Sequence, residues 1–447
     1  MLATASWKIF PFSEVVDILD SRRIPVNGEE RAKRVGDVPY YGATGQVGVI
    51  DKHIFDEELV LLGEDGAPFL DSGKPKAYLI RGKSWVNNHA HVLRGKPGLL
   101  NSFLLYQLNN LDYSPYVSGT TRLKLPQGPM KQIPLLVPAE DEQRRIVAEI
   151  EKQFTRLEAG VAALRRAQAN LKRYRAAVLK AACEGRLVPI EVELAKAGIR
   201  KAKFETGEAL LARILTERRQ NWRGRGRYKE PAAPDIDNLP PLPDGWVVAS
   251  VDQLCGHITS GSRDWSQFYS RGTGTFILAQ NVRAMRLDLR ERQSVDAPKG
   301  DAETERTRVH RNDILVTIVG AKTGDVCRVP SDLEDHFVCQ SVALFRPVLS
   351  DFSKFVELYL ASQENGQAQW KRYIYGQGRP HLSFEQLRMT ALPFPPLAEQ
   401  ERIVAEVERR LSVVEELETV VSANLRRATR LRQAILQKAF TGELMAI

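Results

Sequence analysis

QRRIVAEIE begins at Gln143 and QERIVAEVE at Gln400, nearly the same nine residues 257 positions apart in one chain. Held at that offset without a gap, the likeness opens at YVSGTTRLKL (from Tyr116) against YIYGQGRPHL (from Tyr373). It closes at EGRL (from Glu184) against TGEL (from Thr441). Identical pairs in this register include Tyr116/Tyr373, Gly119/Gly376, Arg122/Arg379, Leu125/Leu382, Pro138/Pro395, Arg175/Arg432 and Gly185/Gly442. One frame held over about seventy residues has a period far beyond the short repeats of solenoids. The chain is two copies of one large module.

Inside each copy lies a long helical pattern. From Glu140 to Cys183 there is no Pro and one Gly, and apolar residues recur at Ile146, Ile150, Phe154, Leu157, Val161, Leu164, Leu171, Tyr174 and Val178. Steps of four and three mark the seam of a helix packed along its length, with Gln168 and Arg175 interrupting a strict heptad. Pro138 and the acids Glu140, Asp141 and Glu142 suit a start; Gly185 and Pro189 suit a stop. Such a helix measures about 65 Å. The second runs from Leu397 through Val407, Leu411, Val414, Leu417, Val421, Leu425, Leu431 and Ile435 to Gly442. Neither stripe can face water over its full length, so each helix is expected to cover the other. If the modules are related by a twofold axis, the helices run antiparallel with a globular part at each end.

The remaining sequence is strand- and turn-rich. VPYYGATGQVGVIDKHIF reads as hairpins, ELVLLGEDGAPFL and KAYLIRGKSWVNNHAHVLRG as strands between turns, and GLLNSFLLYQLNNL as a short helix. The same style returns in TFILAQNVRAMRLDL, NDILVTIVGAKTGDVCRV and HFVCQSVALFRPV, with FSKFVELYLAS as a helix. The expected organisation is α+β: a globular domain at 1–138, a long helix at 139–189, a connector at 190–243, a second globular domain at 244–396 and a second long helix at 397–447. In the connector, GEALLARILTERRQNW forms one amphipathic helix, and GRGRYKEPAAPDIDNLPPLPDG is extended. It ends at Trp246, which repeats the role of Trp7 as a module opening.

The longest apolar runs are too short to span a bilayer, and MLATASWKIF lacks the basic start and apolar core of a secretion signal. Cys183, Cys255, Cys327 and Cys339 are scattered and read as reduced thiols in a cytoplasmic protein. A net charge of +9 favours a polyanionic partner. Much of the excess sits in RRQNWRGRGRYK at 218–229, with six basic residues and no acid. Nucleic-acid contact and a solvated linker both fit that run.

The layout, together with LPFPPLAEQERIVAEVE, GRPHLSFEQL and the terminal KAFTGEL, resembles the specificity subunit of type I restriction-modification enzymes. PYYGATG, GEDGA and WVNNHAHVL are similar to the globular domains of that family. The resemblance covers nearly the whole chain; the long basic connector departs from it. It implies a non-catalytic reader of double-stranded DNA, with each globular domain reading one half of a bipartite, asymmetric site and the helices setting the unread interval. Two adenine-specific methyltransferase subunits and restriction/translocase subunits are the implied partners. S-adenosylmethionine, ATP and Mg belong on those partners, and no cofactor is expected on this chain.

Several stretches are candidates for contacting DNA, each with a plainer alternative. In YYGATG, two glycines permit close approach while Tyr40, Tyr41 and Thr44 offer polar groups; a hairpin turn with one packed tyrosine also accounts for it. VNNHAH supplies Asn87, Asn88 and His89, and asparagine can pair bidentately with adenine. His89 and His91 lie on one strand face, but no Cys or carboxylate cluster accompanies them in sequence, so satisfied polar residues are favoured over a metal site. In the second module Gln280, Asn281 and Arg283 follow a strand, and Lys322 and Thr323 sit in a GAKTG turn that lacks P-loop spacing. Arg122 and Arg379, like Lys124 and His381, share positions in the repeat; phosphate contact and a shared structural role both explain this. Two rival functions remain: a metal-dependent nuclease using Glu64, Asp65 and Asp71 near Lys74, and a coiled-coil scaffold that binds only protein.

Overall fold

The two long helices fall where the repeat places them, at Glu140–Cys183 and Leu397–Phe440, each 44 residues long. The structure, a computed structural model, describes residues 7–200, 203–223, 226–234, 236, 241–261, 265–374 and 380–444. These divide into two units. Residues 1–168 with 419–447 form the first, and 169–418 the second.

Both helices stop by the same device. Gly185 and Gly442 adopt φ of 67° and 78°, a region that L side chains enter only at a cost. The next backbone N–H turns back to a carbonyl five residues earlier, Arg186 to Ala181 at 2.8 Å and Glu443 to Lys438 at 3.0 Å. This satisfies an orphan carbonyl at each helix end. Every element of the repeated segment keeps the register. Strand Pro134–Val137 pairs antiparallel with Lys8–Pro11, and its repeat mate Ala391–Phe394 pairs antiparallel with Val247–Ser250.

In each unit a four-stranded antiparallel sheet forms the head. Its order in the first is Val16–Ile18, Ala90–Gly95, Leu59–Gly63, Ala77–Ile80. In the second it is Cys255–Ser260, Val342–Pro347, Ile314–Thr317, Val326–Arg328. The order matches strand for strand, although these stretches share too little sequence to align by eye. Different second sheets are added to this scaffold. The first head carries Gly45–Ile50, Val38–Gly42, Lys83–Val86 and Phe55–Asp56; the second carries Gln293–Val295, Tyr269–Ile277 and His336–Val338.

The helix stripe is buried differently from the expectation of mutual cover along its whole length. In the first unit Ile146, Val147, Ile150 and Phe154 enter the head's core together with Ile435, Leu436, Ala439 and Phe440. In the second, Val178, Leu179 and Ala182 pack with Ile403, Val404, Val407, Leu411, Trp246 and Phe355. The start of one helix meets the end of the other in both units, so the pairing is antiparallel. Tyr174, Leu417 and Leu431 remain close to half exposed, because away from the heads a helix has one neighbour and that neighbour covers only a narrow seam.

The interrupting arginine has a use. Arg175 pairs with Glu418 at 3.1 Å and Glu415 at 3.8 Å in the second unit. Its repeat mate Arg432 pairs with Glu158, the mate of Glu415, at 3.1 Å in the first, and lies 4.0 Å from the Phe154 ring centroid. Exposed ion pairs contribute little stability, but one at the same repeat position in each unit selects the register.

The connector is partly structured. Glu191–Lys196 is a short helix not anticipated from the sequence, and Gly207–Gln220 is the expected amphipathic one, with Leu210, Leu211 and Ile214 in the second head's core. Arg218 donates to the Cys255 carbonyl and to the Tyr228 hydroxyl. Residues 226–234 lack regular secondary structure and are tied to the second head by the Ala232 N–H donating to Asp252. Residues 224–225, 235 and 237–240 of the expected extended stretch lie outside the described residues.

Trp7 and Trp246 both open a module and both reach the first turn of the long helix. Trp7 Nε1 donates to Glu142 at 3.0 Å and Trp246 Nε1 to its repeat mate Glu399 at 2.8 Å. Glu399 is fully buried, and burial raises its carboxyl pKa above the ordinary value; Glu142 is only half-buried. Stranding a buried acceptor costs more than stranding a hydrated one. Trp246→Phe is therefore expected to destabilise its unit by about 2 kcal/mol and Trp7→Phe by about 1, measured by denaturant unfolding of the full chain.

Candidate nucleic-acid interface

Four separate segments of the first head meet at one edge. The Asn87 N–H donates to the Tyr41 carbonyl at 3.0 Å, the Glu64 N–H to the His89 carbonyl at 2.8 Å, and the Gly66 N–H to Leu123 at 3.1 Å. A Cβ on Gly63 would lie 3.2 Å from the Ala43 carbonyl, so the hairpin turn comes within contact of the Glu64 loop. These bonds gather Tyr41, Thr44, Asn88, His89 and Arg122, residues spread over about eighty positions of sequence. Thr44, Asn88 and Arg122 are exposed, while Tyr41 and His89 are half-buried.

Asp65 organises the basic side chains at this edge. Its Oδ1 accepts from Arg122 at 2.7 Å and lies 2.7 Å from His89 Nδ1. The carboxylate is mostly buried, whereas the Arg122 side chain is 57% exposed. One charge is thus used internally while the guanidinium's remaining donors face outward.

The second head gathers its own candidates. The Gly320 N–H and the Thr323 hydroxyl both donate to the Pro380 carbonyl, at 3.0 Å each. Strand Val282–Arg283 pairs with Arg286–Leu287, and the Met285 N–H reaches Val326 at 2.8 Å. Burial raises the Asp325 carboxyl above its ordinary pKa, against the opposing pull of Lys322 and Arg283, which places both cations beside it. Lys322 and Gln280 are exposed, and His381 is half-buried. Arg379 lies outside the described residues.

The GEDGA loop of the first head and the GAKTG turn of the second are one structural feature, which the sequence reading missed. The Leu125 N–H donates to Glu64 at 2.7 Å, and its repeat mate Leu382 donates to Ile318 at 3.0 Å. Isolated bridges join Asp65 to Lys124 and Val319 to His381. Read in this frame, EDGA at 64–67 answers IVGA at 318–321. The frame has slipped by three residues from the repeat offset, and only Gly-Ala remains to signal it.

Four candidates are corrected. Tyr40 is 1% exposed, and its hydroxyl donates to the Val26 carbonyl at 3.2 Å; it is the packed tyrosine of the hairpin. Asn281 is 1% exposed, with its amide donating to the Asp288 and Glu291 carbonyls and its Oδ1 accepting from the Leu278 N–H. Asn87 is largely buried and caps the His89 N–H at 2.8 Å. The Thr323 hydroxyl is spent on Gly320 and Pro380. Tyr40 and Asn281 spend their polar groups inside the head, while Asn87 commits its carbonyl oxygen and Thr323 its hydroxyl hydrogen to closing a turn.

The fold also brings carboxylates to His91 that the sequence keeps far away. Ligand-type atoms of Asp20, Glu64 and His91 lie within 4.8 Å of one another. Their needs are already met. His91 Nδ1 is 2.6 Å from Asp20, Nε2 is 2.8 Å from the Leu125 carbonyl, and Arg23 sits 2.7 Å from Glu64 and 3.4 Å from Asp20. The Arg23 guanidinium supplies the positive charge beside these carboxylates that a metal would otherwise bring. The nuclease carboxylates fare likewise: Glu64 pairs with Arg23, Asp65 with Arg122, and exposed Asp71 with Lys74 at 3.1 Å. All four cysteines are buried and free, and burial pushes the Cys183 thiol up to about 12.

Among the described residues no helix is long and apolar enough to cross a membrane. Compared with known proteins, residues 5–163 and 243–419 match the family described as type I restriction modification DNA specificity domain. A putative type I restriction enzyme specificity subunit of Haemophilus influenzae is 37% identical over 144 residues, 32% of this chain and 35% of that protein. The type I restriction enzyme EcoBI specificity subunit of Escherichia coli is 33% identical over 149 residues, 33% of this chain and 30% of that one. These two matches span about a third of each relative's length. The EcoDI specificity subunit of Escherichia coli is 24% identical over 457 residues, 98% of this chain and 89% of that one. Among solved structures, one described under complex assembly and conformational transition of the type I R-M system has a TM-score of 0.66 at 16% identity. It covers 99% of this chain and 100% of that one, a likeness of fold.

Two measurements separate structural from presenting residues. Asn281→Ala is expected to cost the second head about 2–3 kcal/mol in denaturant unfolding, and Gln280→Ala less than about 0.5. Burial of Asp20 opposes its ionisation, but hydrogen bonds from His91, Gln127 and the Val92 N–H prevail and hold its pKa below 3.8. The stability this supplies is complete above the ordinary carboxylate pKa and lost as pH falls through the depressed one. The stability difference between wild type and Asp20→Asn should be constant above about pH 5 and shrink below about pH 4, read from thermal unfolding across acid pH.

Proposed function

The chain belongs to the type I restriction-modification DNA specificity family, and from that premise we propose that it is the non-catalytic, sequence-reading subunit of such a system. Each head reads one half of a bipartite, asymmetric site in double-stranded DNA. The observation that carries this reading is a shared scaffold with divergent edges. The two heads repeat one strand order and one loop contact, yet fill the edge with Thr44, Asn88, His89 and Arg122 in one case and Gln280, Arg283, Lys322 and His381 in the other. A duplicated frame with different side chains is what reading two different half-sites requires.

The chemistry of these edges suits the task. Arginine and lysine hold phosphates and can pair with guanine O6 and N7; exposed asparagine and glutamine can pair with adenine in the major groove. The Asp65 carboxylate tethers the Arg122 guanidinium by one amino group, which keeps it at the edge. Catalysis belongs to partners: two adenine methyltransferase subunits using S-adenosylmethionine, and restriction/translocase subunits using ATP and Mg. A stand-alone nuclease is disfavoured because its candidate carboxylates are each paired with a cation.

The test is single-molecule sequencing of host DNA for methyladenine, with this gene intact, deleted, or carrying a related domain in place of residues 244–396. Deletion should abolish one bipartite motif, and replacement should change one half of it. Loss of no motif, or a change in both halves, defeats the proposal. In the assembled complex, Arg122→Ala and Lys322→Ala should each weaken binding and reduce the salt slope by about 1 where the side chain meets a phosphate.

A further inference from the structure

An apolar side chain stands in the open at the reading edge of the first head. Val47 is 49% exposed and lies outside the head's apolar cores. In the hairpin of Val38–Gly42 with Gly45–Ile50, Tyr40 pairs with Gly48 and Tyr41 with Gln46, so Val47 is the extra residue of a β-bulge. A bulge takes a side chain out of the sheet's alternation and re-aims it, a device common beside functional sites. Asn87 follows strand Lys83–Val86, which runs parallel to Val38–Gly42, and its N–H donates to the Tyr41 carbonyl at 3.0 Å. Gly42 stands between Asn87 and Val47. A Cβ on Gly42 would lie 3.2 Å from Asn87 Nδ2 and 3.3 Å from Val47 Cγ1. An amide nitrogen and a methyl group therefore flank one bare backbone position.

The Asn87 amide has one orientation. Its Oδ1 accepts from the His89 N–H at 2.8 Å, and a backbone N–H cannot accept, so the oxygen faces the turn and the NH2 group faces away from it. Among the described residues Nδ2 has no acceptor, and it is not sealed from solvent. Bidentate pairing of asparagine with adenine uses both ends of the amide and is closed to this residue; what Asn87 offers is a donor. In the major groove thymine shows the O4 acceptor and the C5 methyl on adjacent ring atoms. Guanine shows two acceptors and no apolar group, while cytosine and adenine each show a donor. Thymine is the base whose edge matches a donor beside a methyl.

We propose that Val47 and Asn87 form a thymine subsite of the first head, with the Val47 methyls against the C5 methyl and Asn87 Nδ2 donating to O4. The inference rests on the DNA-reading function above and adds to it the base that is read. Thr44 of the same hairpin and Asn88 are exposed on either side along the chain, which places the subsite within the edge already described. Gly42 serves it by carrying no side chain between the donor and the methyl. The second head has no equivalent. There the corresponding position is Cys339, whose N–H donates to the Ile277 carbonyl at 3.0 Å as that of Asn87 does to Tyr41. Cys339 is buried and has no amide to offer, so the subsite serves one half of the site.

The test uses the full chain assembled with its methyltransferase partners and the site found by methyladenine sequencing. The first head's half is the one left unchanged when residues 244–396 are replaced. Each thymine of that half, on either strand, is exchanged in turn for deoxyuridine, which removes only the C5 methyl, and binding is measured by competition. Expected is one position at which wild-type binding falls about fourfold, the effect of one buried methyl group. In Val47→Ala the loss at that position should shrink below about 1.5-fold, with the ratios at other thymines unchanged. Asn87→Asp keeps the bond to the His89 N–H and puts an acceptor where the donor was. It should bind the thymine site about tenfold more weakly and favour 5-methylcytosine there, which shows an N4 donor beside the same methyl. A first half without thymine, no deoxyuridine effect at any position, an effect undiminished in Val47→Ala, or an Asn87→Asp chain that still prefers thymine would overturn the proposal. If Asn87→Asp does not fold, the Val47→Ala comparison decides. Equal binding of the wild-type assembly to the intact site and to an unrelated duplex would instead defeat the reader function itself.

Discussion

A long helix with an apolar stripe must bury that stripe somewhere, and in this chain the heads do most of it. Ile146, Ile150 and Phe154 at one end, and Ile403, Val407 and Leu411 at the equivalent end of the other helix, are core residues of folded domains as much as of a helix pair. The Trp7–Glu142 and Trp246–Glu399 bonds tie the opening of each module to the helix that closes it. Each head therefore cannot complete its core without the start of its own helix and the end of the other module's. The first unit joins residues 1–168 to 419–447, and the second brings Val178–Ala182 onto Ile403–Leu411 from the far end of one continuous stretch, so both close long loops.

This dependence separates what is repeated from what differs. The closing strands, the helix starts, the glycine stops and the Arg175/Arg432 pairing are kept in register because both units bury the same surfaces. The edges carry no such constraint. They are held by backbone bonds from Leu125 to Glu64 and from Leu382 to Ile318, which any side chain can accompany. Recognition residues can therefore change without altering the frame that positions them.

The basic connector illustrates why charge counts alone mislead. Arg218 faces inward, 3.7 Å from Asp252, with Tyr228 stacked nearby. Part of the run read as free cationic surface is a clip that fastens the Gly207–Gln220 helix to the second head. The exposed Arg219 is neutralised by Glu230, which the count of six bases excluded by ending one residue early.

By itself the sequence determined the duplication, the bounds of both long helices, the strand-rich heads and the amphipathic connector helix, because each leaves a local period or a repeated register. It also offered Thr44 and Lys322 in turns, Asn88 and His89 on a strand, Gln280 and Arg283 after one, and Arg122 at a repeated position, as candidates for contact. Only the tertiary structure decided which of these share an edge, since Arg122 and His89 meet through Asp65 and no period records that. It showed Tyr40 and Asn281 to be core groups, because burial is a property of what packs above a residue. It identified EDGA with IVGA, whose kinship survives in backbone bonds rather than in side chains. And it brought Asp20, 71 residues distant, onto His91, a pairing that depends on strand order, which a sequence without a matching partner to compare does not carry.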